Sequence, residues 1–136
     1  MKKSSFQFRE PKLLNLEFRL NKGFKSDDGK IAMKIANKVN IQKDEDDKNM
    51  AYVSLEIQLG SEDNDSPFFL QAEEGAQFRW VEDAEPQVDS LLKQNAPALL
   101  ISYLRPCIAM ITAASPYSAY NLPFIDFTES DGEEKE

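Results

Sequence analysis

The sequence predicts an α+β domain in which a four-stranded antiparallel β-meander packs against a long C-terminal helix. Three observations predict it. Apolar and polar residues alternate in four successive segments, the links between those segments are short and turn-rich, and the period changes from two to helical spacing after Pro86.

Leu14, Leu16, Phe18 and Leu20 alternate with Asn15, Glu17, Arg19 and Asn21, which gives a strand one apolar face. The rhythm returns in Ile31, Met33, Ile35, Val39 and Ile41, then in Ala51, Val53, Leu55, Ile57 and Leu59, and again in Phe68, Leu70, Ala72, Ala76, Phe78 and Trp80. The separators Lys25 to Gly29, Lys43 to Asn49 and Ser61 to Pro67 are rich in residues that turn the chain and resist a ladder. Links this short join antiparallel neighbours. Gly75 falls inside the fourth strand, where a residue without Cβ marks a bulge or bend, so a kink is expected there.

After Pro86, Val88, Leu91 and Leu92 stand at helical spacing, and Asn95-Ala96-Pro97 reads as a stop followed by a restart. From Ala98 to Ala114 only Ser102, Arg105 and Thr112 are plainly polar, so this helix is apolar nearly all round. One sheet cannot cover both of its sides. A second copy or a bound partner is expected to shield the other side, with Leu100, Tyr103, Leu104, Cys107, Ile108 and Ile111 as the oligomer interface. Pro106 removes one backbone bond and predicts a kink between Ser102 and Arg105. The domain spans residues 1–127, and the acidic stretch 128–136 has nothing apolar to bury and is expected to be disordered.

The 136 residues carry a formal charge of −8, which repels phosphate backbones and anionic lipid, so neither nucleic acid nor membrane insertion is expected. Residues Ser4 to Glu10 are too polar for a signal sequence, and no run of about eighteen apolar residues suggests a spanning helix. The single cysteine, Cys107, cannot form an internal disulfide, in keeping with a cytoplasmic protein.

Histidine is absent, which excludes histidine-based acid–base work, the usual triads and most zinc sites. Cys107 has no activating neighbour in its apolar stretch and reads as a packing residue. The glycines are scattered, so no nucleotide loop is present. The carboxylates of residues 44–47 and 62–65 lack the spacing of a calcium loop and read as solvated turns. No catalytic residue, metal or cofactor is expected, and the protein is not read as an enzyme. Most aromatics belong to the core, but Phe24 beside a turn and Phe69 on the parity opposite to Phe68 fall outside the buried set. They are candidates to line a groove for apolar segments, with Tyr117, Tyr120 and Phe124 beyond the helix.

Pro97, Tyr103, Arg105 and Cys107, followed by Asn121-Leu122-Pro123-Phe124-Ile125-Asp126-Phe127, resemble the C-terminal signature of the SecB family of bacterial export chaperones. The segment Phe68 to Phe78 with Gly75 is similar to that family's Phe-Leu-x-Glu-x-x-x-Gly-x-x-Phe strand, and Leu14-Asn15-Leu16-Glu17 to its Ile-Ser-Phe-Glu. The resemblance implies an ATP-independent holdase for unfolded polypeptides, assembled as a homotetramer, a dimer of dimers. It also implies docking to the translocase motor SecA through acids on the exposed sheet face, where Glu17 matches, Gln71 replaces an acid, Glu73 stands nearby and Leu13 replaces an aspartate. Pro106 and Ala114-Ser115 depart from the family pattern, and the acidic tail stands in place of the family's closing helix. Those departures suit a SecB-like chaperone paired with a toxin–antitoxin system. The rival reading is an adaptor that binds one folded partner.

Overall fold

The structure, a computed structural model, describes residues 1–25 and 33–128, so Ile31 and the tail from Glu129 lie outside the described residues. Four strands, β1 (Phe6–Leu20), β2 (Ile35–Lys43), β3 (Met50–Gly60) and β4 (Phe68–Trp80), form one antiparallel sheet in the order β1-β4-β3-β2. The meander therefore holds for β2, β3 and β4, while β1 adds beside β4 at the far edge. Cross-strand aromatics favour that placement: Phe6 stacks on Phe78 with centroids 5.4 Å apart, and Phe18 meets Phe68 at 5.2 Å. Strand β1 also starts earlier than its alternation from Leu14 suggests, because Phe6 and Phe8 already sit on the apolar face opposite Trp80 and Phe78.

One sheet face is the core. Val53, Leu55, Ile57 and Leu59 of β3 and Leu70, Ala72, Ala76 and Phe78 of β4 are buried beneath the helix. At Gly75, where a bulge or bend was expected, β4 carries no bulge: it keeps an unbroken register with β3 through Ser54↔Gly75. The irregularity lies instead in the facing strand, where β1 shifts register between Arg9 and Lys12 and again between Leu13 and Asn15, with Glu10 at φ 55°. Gly75 is needed for another reason. A β-carbon there would lie 2.6 Å from the Tyr52 hydroxyl and 2.8 Å from Leu14 Cδ1, so the glycine lets both side chains cross the strand.

The second bulge also corrects the parity of β1. Leu13 pairs with Glu74 on the core face, while Leu14 lies over Gly75 on the outer face, out of step with Leu16, Phe18 and Leu20. At the end of β3, Gly60 takes φ +73°, which turns the chain into the Ser61–Ser66 loop. The amide of Asn21, a buried side chain, binds that loop through the carbonyls of Ser61, Asp63 and Ser66 at 2.7–2.9 Å.

A 3₁₀ turn (Glu82–Gln87) leads into α1 (Val88–Ser90), a π segment (Leu91–Asn95) and α2 (Ala96–Ala113), which run on as one helix. The stop expected at Asn95-Ala96-Pro97 does not occur. Pro97 has no N–H to offer the carbonyl four residues back, and the wider π turn absorbs the loss, with the Ala96 N–H bonding the carbonyl of Leu91. Pro106 stands exposed inside α2, and the helix continues past it to Ala113. Joined in this way, Val88–Ala113 is long and apolar enough to cross a bilayer, which the expected break had hidden. It lies instead along the sheet, with Ala96, Leu100, Leu104 and Ile108 fully buried there, as the core helix of a folded domain would.

Candidate functional site

The helix has two sides with different fates. Leu100, Leu104 and Ile108, expected at an oligomer interface, are fully buried against the chain's own sheet and cannot reach a neighbour. Tyr103 and Met110 point away from the core and are exposed, Met110 at 70%, while Cys107 and Ile111 are half-buried between the two sides. Tyr103 meets Phe8 of β1 edge-on, with centroids 6.4 Å apart. Phe8 and Leu13, on the core face of β1 beyond the helix, are themselves exposed, so apolar surface is uncovered on both β1 and the helix. Phe8 was missed in the sequence, although the Phe6-Gln7-Phe8 alternation ahead of Pro11 carried the signal.

A C-terminal arm, residues 114–128, folds back along the helix, with no regular secondary structure up to Thr128. Thr112 accepts the N–H of Tyr120 at 2.7 Å, and Arg105 donates to the carbonyls of Leu122 at 3.2 Å and Pro123 at 2.8 Å. Leu122 is thereby buried, Tyr117 reaches Phe68 with centroids 6.3 Å apart, and Tyr120 packs on the core. Phe124 stands out at 98% exposure beneath the Arg105 guanidinium, 5.5 Å from its centroid.

Phe24 and Phe69 lie elsewhere. Phe69, expected to line an open groove, is only 4% exposed on the outer sheet face, where the Arg19 guanidinium sits 5.4 Å from its ring. Arg19 also pairs with Glu17 and Glu62 at 3.5 and 3.2 Å, which holds it over the ring. Phe24 follows β1 and is half-buried, its N–H bonded to the Asn21 carbonyl at 3.1 Å. The five aromatics singled out in the sequence are thus not gathered in one groove: Tyr117 and Tyr120 pack on the core, while Phe69 lies on the outer face.

The outer face gathers the expected docking residues. Glu17 pairs with Gln71, and Glu73 pairs with Asn15 on one side and Glu56 on the other. Glu56, which sequence reasoning passed over, accepts a hydrogen bond from the Gln71 amide at 2.7 Å. Glu74 points the other way and is 5% exposed on the core face; burial pushes its carboxyl above the usual range. Burial and then the Glu74 carboxylate push the Cys107 thiol up as well, the opposite of what a reactive thiolate requires. Among the described residues no cluster of cysteine or carboxylate ligands suits a metal.

An antiparallel four-stranded sheet backed by a long, partly uncovered apolar helix defines the class, an α+β protein. The family model for preprotein translocase subunit SecB matches residues 15–130, and the chain belongs to the SecB family, placing it among chaperones of that type. No curated protein matches the chain. Its fold is that of the SecB-like chaperone of Mycobacterium tuberculosis, solved with a peptide from the HigA1 antitoxin: 13% identity, TM-score 0.70, over 89% of this chain and 91% of that one. A Streptococcus agalactiae protein of unknown function aligns over 90% of this chain and 100% of its own, at 10% identity and TM-score 0.49.

Proposed function

We propose that the protein is an ATP-independent holdase that binds unfolded or extended polypeptide, assembled as a homotetramer in the cytoplasm. The observation that carries this reading is the uncovered apolar surface of Phe8, Leu13, Met110 and Phe124 on a SecB-family chain. Apolar surface of this kind suits the side chains an unfolded client exposes, and a charge of −8 keeps the loaded complex dispersed. Tyr103, Cys107 and Ile111 supply the copy-to-copy contact in this reading, and Tyr117, Tyr120 and Phe124 the client contact, with Phe24 as a secondary position.

A dedicated client, of the kind an antitoxin represents, is the second reading. It is favoured by the outer face, where Gln71 stands in place of an acid and Leu13 lies on the core face, which weakens an acidic dock for SecA at Glu17 and Glu73. The test is suppression of aggregation of a chemically unfolded, unrelated protein without ATP, with light scattering to report the mass of the complex. Suppression at oligomer stoichiometry supports the general holdase; its absence, with tight capture of one partner encoded nearby, supports the dedicated one.

A further inference from the structure

The C-terminal arm has the form of an extended, unfolded polypeptide. It carries no regular secondary structure up to Thr128, and Pro116 and Pro123 lack the N–H that a ladder would need. Its inward side chains alternate with outward ones: Tyr120 and Leu122, then Ile125 and Phe127, pack on the core, while Asn121, Pro123, Phe124 and Asp126 are exposed. Tyr117 continues the series into a line of rings that runs through Phe68 to Phe18. A segment with apolar residues at alternate positions is thus seated along the helix and the end of the sheet.

The hold on that segment is slight. From Tyr117 to Thr128, among the described residues, its backbone makes three hydrogen bonds to the body of the domain: the Tyr120 N–H to Thr112, and the carbonyls of Leu122 and Pro123 to Arg105. Each of them ends on a side chain, so no backbone ladder fixes the arm. Arg105 meets only neutral carbonyls and the Phe124 ring there, and forms no ion pair among the described residues. Leu122 is buried, but Tyr117, Tyr120, Ile125 and Phe127 are only half-buried.

We propose that the arm is a tethered stand-in for client. It fills a seat made by Phe18, Phe68, Arg105 and Thr112, and an extended client segment with alternating apolar residues takes that seat when the arm is displaced. Tyr117 and Tyr120 mark the client contact because they occupy it, and Phe124, left outside the seat at 98% exposure, is the first apolar side chain a client meets. The tether sets a threshold. A segment joined to its seat by the turn after α2 competes at high effective concentration, so weakly apolar segments fail to displace it. The closed arm lowers the apparent affinity by the fraction of chains whose seat is open, and it keeps the apolar seat covered until a client arrives.

The inference rests on the holdase reading, and the experiment separates the two. Binding of a fluorescein-labelled, unstructured peptide with apolar residues at alternate positions is measured for the wild-type protein and for Arg105→Met, which keeps the aliphatic stem and removes both bonds to the arm. Arg105→Met is expected to bind about tenfold more tightly, because its seat is open in a larger fraction of chains. Two readouts use the wild type alone, so they stand even if the variant folds poorly. Saturation with the labelled peptide is expected to speed amide exchange at Tyr120, and a synthetic arm peptide of residues 115–128 is expected to displace the labelled one. A labelled peptide that binds without speeding exchange at Tyr120, and that the arm peptide does not displace, overturns the shared seat and leaves the holdase intact. Equal or weaker binding by a folded Arg105→Met overturns the closure by the arm. Binding by Arg105→Met alone supports closure, and binding by neither protein overturns the holdase reading as well.

Discussion

The hydroxyl of Thr112, fully buried on α2, accepts the backbone N–H of Tyr120 at 2.7 Å while donating to the carbonyl of Ile108 at 2.8 Å. One side chain thus ties the folded-back arm to the helix, eight residues away in sequence. Thr112→Val keeps the shape and deletes both bonds, leaving the Tyr120 N–H without its acceptor in a partly buried site. The expected loss is about 1–3 kcal/mol in urea unfolding, with Thr112→Ser retaining most of the stability because it keeps the oxygen. Faster amide exchange at Tyr120 in the valine variant would place the effect at the arm.

Gly60 supports a sharper expectation. Its φ of +73° disfavours any L side chain, and a β-carbon there would lie 2.1 Å from the Phe68 carbonyl, a backbone atom that cannot swing aside. Gly60→Ala should cost about 2 kcal/mol or more in stability. Gly75→Ala should cost less, since the atoms it meets are the mobile ends of Tyr52 and Leu14.

Glu74 predicts a pH dependence of a definite sign. Burial raises its carboxyl above the usual range, so the folded protein holds that proton at pH values where the unfolded chain has released it. The contribution to stability is full below the ordinary carboxylate range and is lost as pH rises through the raised value of the folded state. Glu74→Gln should therefore be the more stable protein at pH 7, with an advantage that shrinks toward pH 4. Midpoints of chemical unfolding across that interval check it, and a variant less stable at pH 7 would show that the carboxylate has a favourable partner when charged.

Alternation made the sheet legible: β3 and β4 bury the predicted rows from Ala51 to Leu59 and from Phe68 to Trp80. What alternation could not reveal is set by tertiary contact. Leu14 leaves its row because β1 bulges between Leu13 and Asn15, opposite Glu74 and Glu73, and a period-two reading contains no term for that shift. Glu73 and Glu74 look equivalent in sequence, yet adjacent strand residues face opposite sides, so one joins the acidic outer face and the other is buried. Phe69 was rightly set apart from the core row, but its burial depends on Arg19, which arrives from another strand. The helix was legible as apolar all round. Which residues of it meet the sheet depended on the π segment, which removes the break expected at Pro97 and so changes where α2 begins.

The exposed side of α2 separates copy contact from client contact in one experiment. Tyr103 and Met110 are both exposed there, and Tyr103 touches Phe8 of the adjoining β1 edge. Neither lies among the fully buried residues, so Tyr103→Asp and Met110→Asp should leave thermal unfolding of the single chain within about 0.5 kcal/mol of wild type. If this side joins copies, a desolvated carboxylate at the contact would cost several times that amount and shift the mass measured by light scattering toward dimer or monomer at micromolar protein. An unchanged mass with weakened peptide binding would instead assign this side of the helix to the client, and the copies would then meet through another surface.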